Sequence, residues 1–355
     1  MKKIVLTGGG TAGHVTPNIA LLPALRQAGY EISYMGSYDG IEKRLIADFD
    51  IPYTGISTGK LRRYLDIRNL TDPFRVIKGF SEARKYLKSY CPDVVFSKGG
   101  FVSVPVVRAA AALGIPCILH ESDMTPGLAN RLCFPVAKKI CCNFPETMQM
   151  LPEGKAVLTG SPIRSELAQG NRIAGLDLCG FTANRPVILV IGGSLGAANV
   201  NKAVRDALPR LLEDFQVVHL CGKDKIDNLL LTTSGYKQFE YVKTELKDLF
   251  AMADIVISRA GANSICELLA LKKPNVLIPL PAASSRGDQL LNAASFEAQG
   301  FSLVINEDDL TTELLVAKVH ELFSNRQSYH DAMGRSGQMD SVHTILRLIE
   351  EAAQA

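Results

Sequence analysis

IVLTGGGTAGHVTPNIALLPAL, residues 4–25, joins a short apolar run to glycines at G-x-G-x-x-G spacing (Gly8, Gly10, Gly13) and then to an apolar-periodic stretch. Read in order this is strand, tight turn, helix. The glycines let the turn run close to a ligand and feed a helix whose first N–H groups attract anions. The same order returns in VILVIGGSLGAANVNKAV, residues 187–204. Val- and Ile-rich runs at 4–6, 32–35, 94–96 and 117–119, and again at 187–191, 217–220, 255–257 and 276–278, alternate with helical patterns. Such alternation predicts an α/β chain with parallel sheets covered on both faces. A chain of 355 residues is long for one core and suits two domains. The Gly- and Pro-bearing stretch TGSPIRSEL (159–167) is the expected hinge. This divides the chain into residues 1–163, residues 164–340 and a terminal helix within 341–355 whose partner periodicity leaves open, the N-terminal domain being one choice. Ligands of such sheets collect beyond the carboxyl ends of the strands, so two Rossmann-like domains facing each other would form a cleft there.

Composition narrows the function class. The formal charge of +3 is too small at this length to make nucleic acid the main partner. Eight cysteines without a C-x-x-C pair suit buried thiols in a reducing compartment and no zinc site. MKKIVLTGGG has too short an apolar core for a signal peptide, and Phe101 to Leu119 carries Arg108, Pro105 and Pro116, which suits a buried helix and strand rather than a membrane span. The expected location is the cytoplasm.

A dinucleotide fold would need an acidic residue about 20 positions beyond the glycines to hold the ribose, and ISYMGS offers none there. A third glycine pair, Gly99 and Gly100 in SKGGFVSVP, follows another strand. His14 at a helix start should be neutral and able to accept a proton, because the helix dipole disfavours the imidazolium. Ser194 in GGSLGA offers a hydroxyl beside backbone amides, a phosphate cradle without the lysine of an ATPase loop. In SRAGANSICELLAL, Glu267 could accept both ribose hydroxyls, and in SSRGDQLLNA the groups of Asp288, Gln289 and Asn292 suit sugar hydroxyls. Each feature has a plainer reading as a βα turn, an N-cap or a solvated helix start. The basic stretch 61–90 interleaves Arg75, Lys78 and Arg84 with Phe74, Ile77 and Leu87, which fits an anionic membrane surface or an ordinary half-buried helix.

TGGGTAGHVTPN, FSKGGFVSVPV, LHESDMTPGLAN, GGSLGA, SRAGANSICE and GDQLLNA, in that order, resemble the MurG family of UDP-N-acetylglucosamine (UDP-GlcNAc) transferases of peptidoglycan synthesis. The resemblance implies a GT-B glycosyltransferase, inverting and metal-independent, with no cofactor. It would move GlcNAc from UDP-GlcNAc to the C4 hydroxyl of undecaprenyl-pyrophosphoryl-MurNAc-pentapeptide, turning lipid I into lipid II. By matching position, Arg164 and Val242 would border the uracil, Glu267 would take the ribose and Ser194 the diphosphate. Asp288 and Gln289 would bind the sugar, with Ala262 and Asn263 lining the same pocket. Gly9, Gly10, Thr11, Gly13, Gly99, Gly100 and Asp123 would hold the acceptor, and His14 is the candidate base with Glu121 or Asp123 as rivals. Where the family reads HEQN this chain reads HESD, so Asp123 stands in place of an amide. The implied partners are lipid I, an anionic cytoplasmic membrane surface contacted peripherally through residues 70–87, and other cell-wall synthesis and division proteins. A different GT-B enzyme, using UDP-GlcNAc on a soluble acceptor or epimerising it, or a nucleotide-binding module without activity, is the competing reading.

Overall fold

The computed structural model describes residues 2–59, 68–192, 197–282, 287–336, 338 and 340–354, with the backbone alone described at 68–73. They divide into two compact units, residues 1–164 with 340–355, and residues 165–339.

Unit 1 is built on a parallel sheet ordered β3-β2-β1-β4-β5-β6-β7. Its strands are β1 (Lys2–Thr7), β2 (Tyr30–Ser37), β3 (Tyr53–Ile56), β4 (Val94–Ser97), β5 (Cys117–Glu121), β6 (Lys139–Cys142) and β7 (Ala156–Leu158). Side chains alternate across a strand, so Ile4 and Leu6 enter one core while Val5 enters the other. On the first face lie the helix Thr16–Gln27 and the terminal helix Ser341–Ala353. The latter buries Ile345, Leu348, Ile349 and Ala352, an i, i+3, i+4, i+7 stripe, against Leu21, Leu22 and Leu25. Each fully buried large aliphatic contributes about 1.5–3 kcal/mol. The Ser341 hydroxyl donates to the Ser161 carbonyl at 2.8 Å and ties the start of that helix to the same unit.

On the second face the helices Arg68–Tyr90 and Ser103–Ala112 bury Ala83, Leu87, Val106 and Val107. Gly79 lets the first of these helices lie directly on the Ser57 carbonyl, where a Cβ would collide. Its other end differs: Phe74 is 74% exposed and Ile77 63%. The basic amphipathic stretch is thus half core and half apolar surface, and its residues 61–67 lie outside the described ones.

Unit 2 repeats the plan with the order β10-β9-β8-β11-β12-β13. The strands are β8 (Val187–Ile191), β9 (Gln216–Leu220), β10 (Tyr236–Phe239), β11 (Ile255–Ser258), β12 (Asn275–Leu277) and β13 (Ser302–Val304). Ile188, Val190 and Val217 pack with Val200, Val204 and Leu211 of the helix Ala198–Asp214 and with Leu315 and Val319 of Thr312–Ser324. In both units the strand order reverses beside the first strand, at β1/β4 and β8/β11, where doubly wound sheets bind their ligands. No helix among the described residues is long and apolar enough to cross a membrane. Seven of the eight cysteines are buried and all eight are unpaired, and burial pushes thiols such as Cys117, Cys133 and Cys141 up to about 12.

Candidate active site

At the carboxyl edge of unit 1 the first glycine loop and the Gly99–Gly100 turn meet. Gly99 and Gly100 both have left-handed φ, +87° and +83°, which side chains disfavour. A Cβ on Gly100 would also strike the Gly9 carbonyl and stand 3.1 Å from His14 Nδ1. The glycine pair is therefore what allows the two loops to close around the imidazole.

His14 ends a short 3-10 turn, Ala12–His14, just before the helix Thr16–Gln27. Its Nδ1 stands 3.0 Å from the Gly9 carbonyl and 3.1 Å from the Thr11 hydroxyl. A carbonyl can only accept, so Nδ1 carries the hydrogen and Nε2 is the ring's proton acceptor. The proton affinity of His14 is lowered to about 4, first by burial and next by the nearby Lys98 charge, so the ring is neutral at pH 7. The expected neutral histidine is present, with burial rather than a helix dipole as its main cause.

Four buried polar groups absent from the sequence expectations, or assigned differently there, organise these loops. Glu42, fully buried on the helix Ile41–Ile46, accepts from Gly10 N–H at 3.1 Å and Ser37 N–H at 2.9 Å, and from the Ser37 hydroxyl. One donor that the glycine pattern offers to an anion is therefore already engaged by a carboxylate. Lys98, 1% exposed at the end of β4, donates to His120 Nδ1 at 2.8 Å and to the Ser122 hydroxyl. His120 turns its Nε2 to the Gly160 carbonyl at 2.9 Å, and burial holds it well below the usual histidine range. Glu121 accepts from Ser122 and Asp123 N–H at 2.9 and 3.2 Å, and from Gly127 N–H and Asn130 Nδ2 at 3.0 and 2.9 Å. Both its oxygens thus serve the HESD loop and brace it. In the sequence Glu42 and Lys98 stand close to glycines, and Glu121 is singled out by the family resemblance.

Further along the same edge Ser37, Ser57, Thr58, Arg75 and Lys78 line a recess of about 530 Å³. Arg75 and Lys78 lie on the helix that exposes Phe74 and Ile77.

In unit 2 a cavity of about 130 Å³ opens at the carboxyl ends of β8, β9 and β11. Ile191, Leu220, Val242, Leu246 and Phe250 give it apolar walls, while Ser258, Ser264, Glu240 and Glu267 supply hydroxyls and two carboxylates. Ser264, Glu267 and Leu268 share a face of the helix Ala262–Ala270, one turn apart. Val242 and Glu267, far apart in sequence, therefore line one pocket. Ala262 and Asn263 open that helix. Asp288 and Gln289 open the helix Asp288–Ala298, where the Gln289 carboxamide oxygen accepts from Leu280 N–H at 3.1 Å, so its NH2 is what it can offer a sugar. Asn292 is buried and donates to the Ala260 carbonyl at 3.2 Å. Buried Arg259 pairs with Glu307 and donates to the Ile278 carbonyl at 3.0 Å, bracing the loop after β12. Arg164 ends the first of the two chain segments that make unit 1. Ser194 lies outside the described residues.

Residues 4–142 match the glycosyltransferase family 28 N-terminal domain, and residues 187–346 match that family's C-terminal domain. The chain belongs to glycosyltransferase family 28. It is 64% identical over 351 residues to a Lachnospira eligens protein named UDP-N-acetylglucosamine--N-acetylmuramyl-(pentapeptide) pyrophosphoryl-undecaprenol N-acetylglucosamine transferase, covering 99% of each chain. A protein of the same name from Lachnoclostridium phytofermentans is 65% identical at the same coverage. The crystal structure of Acinetobacter baumannii MurG superposes with a TM-score of 0.79 at 28% identity, covering 99% of this chain and 100% of that one. A putative UDP-N-acetylglucosamine 2-epimerase from Listeria monocytogenes shares the fold, with a TM-score of 0.72 at 13% identity. The expected MurG resemblance, the two-domain GT-B fold and the glycosyltransferase class all stand for this family 28 member.

Proposed function

We propose that this family 28 enzyme transfers GlcNAc from UDP-GlcNAc to the C4 hydroxyl of undecaprenyl-pyrophosphoryl-MurNAc-pentapeptide, inverting the anomeric centre to a β1,4 link and converting lipid I into lipid II. The observation that carries this reading is the 64–65% identity, over 99% of both chains, to proteins named for that transfer. The geometry of the two edges supports a division of labour between them.

Unit 2 takes the donor. The apolar walls of its cavity, Val242 among them, suit a flat uracil, and Glu267 takes the ribose hydroxyls. Arg164 borders the uracil, Ser194 and the amides after GGSLGA hold the diphosphate, and Asp288, Gln289, Ala262 and Asn263 surround the sugar. Amides at the start of the helix Ala198–Asp214 stabilise the charge on departing UDP.

Unit 1 takes the acceptor along Gly9, Gly10, Thr11, Gly13, Gly99, Gly100 and Asp123. His14 Nε2 accepts the C4 hydroxyl proton as that oxygen bonds to the anomeric carbon and the bond to UDP breaks. One displacement inverts the centre. The buried Glu42 carboxylate under Gly10 favours the sugar over the pyrophosphate at that loop, and Arg75 and Lys78 favour the anionic part beside exposed Phe74 and Ile77. That same surface attaches the enzyme peripherally to the anionic cytoplasmic face of the membrane, where other cell-wall synthesis and division proteins would meet it.

UDP release from UDP-GlcNAc, measured with and without a short-chain lipid I analogue, tests the reading. Release should require the analogue, and His14→Ala should abolish most of it while leaving UDP binding intact. Release indifferent to the analogue would overturn the acceptor assignment.

A further inference from the structure

The transfer reading leaves two buried charges of unit 1 without a task, and both bear on His14. Glu42 holds Gly10 N–H at 3.1 Å, while His14 Nδ1 holds the Gly9 carbonyl at 3.0 Å. That N–H and that carbonyl belong to one peptide unit, which is planar, so turning one turns the other. Glu42 therefore grips the far end of the peptide that orients the imidazole. Gly9, Gly36 and Gly40 leave room for this: a Cβ on any of them would collide with the Glu42 side chain. Lys98 follows β4 at the same edge and packs beside the His14 segment, since a Cβ on Gly8 would stand 3.2 Å from Lys98 Cβ and 2.6 Å from the His14 carbonyl, and its Nζ is anchored on His120 Nδ1 and Ser122 Oγ.

We propose that Glu42 and Lys98 are positioning residues for the transfer: Glu42, through the Gly9–Gly10 peptide, holds His14 as the Nδ1–H tautomer with Nε2 open for the acceptor proton, and Lys98 places a fixed positive charge beside that ring. The proposal rests on the reading of His14 as the base. The charged groups that act on His14 are these two, in opposite senses. Lys98 disfavours the imidazolium and Glu42 favours it, with the Gly9 carbonyl on the same side as Glu42. Lys98 itself faces His14, His120, Glu121 and Cys141. Buried charges of opposite sign on one titrating group let the fold set its proton affinity apart from its orientation.

The pH profile of kcat with a short-chain lipid I analogue tests this, a readout that a merely structural role would not move in a defined direction. Lys98→Met should raise the midpoint of the acidic limb by about one pH unit, and Lys98→Arg should leave it where it is. Adding Glu42→Gln to Lys98→Met should bring the midpoint down again and lower kcat, while UDP affinity stays unchanged throughout. An acidic limb unmoved by Lys98→Met, in an enzyme where His14→Gln removes that limb, overturns the proposal alone. A limb that survives in His14→Gln overturns the base reading beneath it. Should Lys98→Met fail to fold, nitrogen NMR of the His14 ring in the wild type still decides: the Nδ1–H tautomer is expected, and the Nε2–H tautomer refutes the positioning by Glu42.

Discussion

At the carboxyl edge of unit 1 stand Glu42, Lys98, His120 and Glu121, all buried and all hydrogen-bonded to loop backbone or to one another. At the equivalent edge of unit 2 the walls of the cavity are Ile191, Leu220, Val242, Leu246 and Phe250, with Glu240 and Glu267 as its carboxylates. The two sheets share a strand order, and glycines follow the first strand in both stretches of sequence, yet the polar groups of one edge hold its loops around an imidazole while those of the other flank an apolar slot. The difference suits the chemistry proposed for each. A flat base is held by contact and needs dry walls, whereas a proton acceptor needs its tautomer and its charge state set by fixed neighbours. A shared fold therefore specifies where a site lies and leaves its chemistry to a few side chains.

Changes confined to one edge should separate binding from turnover. His14→Ala should lower kcat by about 100- to 10,000-fold, the usual contribution of a positioned base, with the UDP affinity measured by calorimetry unchanged. An equal loss of UDP binding would mean that the two edges do not divide the labour. Glu267→Ala should do the reverse, weakening UDP-GlcNAc by about 100-fold, roughly 3 kcal/mol, because two ribose hydroxyls lose a charged acceptor. The melting temperature should barely move, since Glu267 lines a cavity and not a core. Gly100→Ala should destabilise unit 1 by about 1–3 kcal/mol, because the position is left-handed and the new methyl meets the Gly9 carbonyl. Hydrogen exchange should then locate the loss in residues 8–14 and 97–101 and spare unit 2.

Acid should act in the same uneven way. His14, lowered to about 4, and His120 are neutral in folded unit 1, and His219, lowered to about 3, is neutral in unit 2. Unfolded, each takes a proton near 6.5, so the unfolded chain binds more protons below that value. Their share of stability is complete above about pH 6.5 and is lost as the pH falls toward 4. Denaturation followed by probes in each unit should show the steeper loss in unit 1, and equal slopes would remove the electrostatic contrast. The smallest structural effect belongs to the exposed pair. Phe74→Ser with Ile77→Ser should change stability by no more than about 0.5 kcal/mol, yet it should reduce co-sedimentation with anionic vesicles several-fold. Vesicle binding that survives both changes would take the membrane contact away from this helix.

How far these features could be read in advance depended on how local their causes are. The runs at 4–6, 32–35, 94–96 and 187–191 all became strands, since continuous Val and Ile between glycine turns suit a sheet buried on both faces. Tyr53–Ile56, Lys139–Cys142, Ala156–Leu158, Tyr236–Phe239 and Ser302–Val304 did not announce themselves. They are short, and four of them contain polar or glycine residues, so they pair through neighbours supplied by the rest of the sheet. The basic stretch showed both its possible partners at once, and only packing divided Leu87 from Phe74.

By itself the sequence determined the α/β class and the glycines after the strands, because spacing and residue type are written in the chain, and it offered His14 and Glu267 by residue type and Val242 by family resemblance as candidates. The tertiary structure decided which of these meet: Val242 with Glu267 in one cavity, and His14 with the Gly9 carbonyl. It also decided that the terminal helix returns to unit 1, and that Glu42, Lys98 and Glu121 are buried braces for the acceptor loops. The reason is physical. A glycine or an apolar run acts through its own backbone and neighbours, whereas a buried charge takes its role from the partners that satisfy it, and those come from strands and helices far away in the chain.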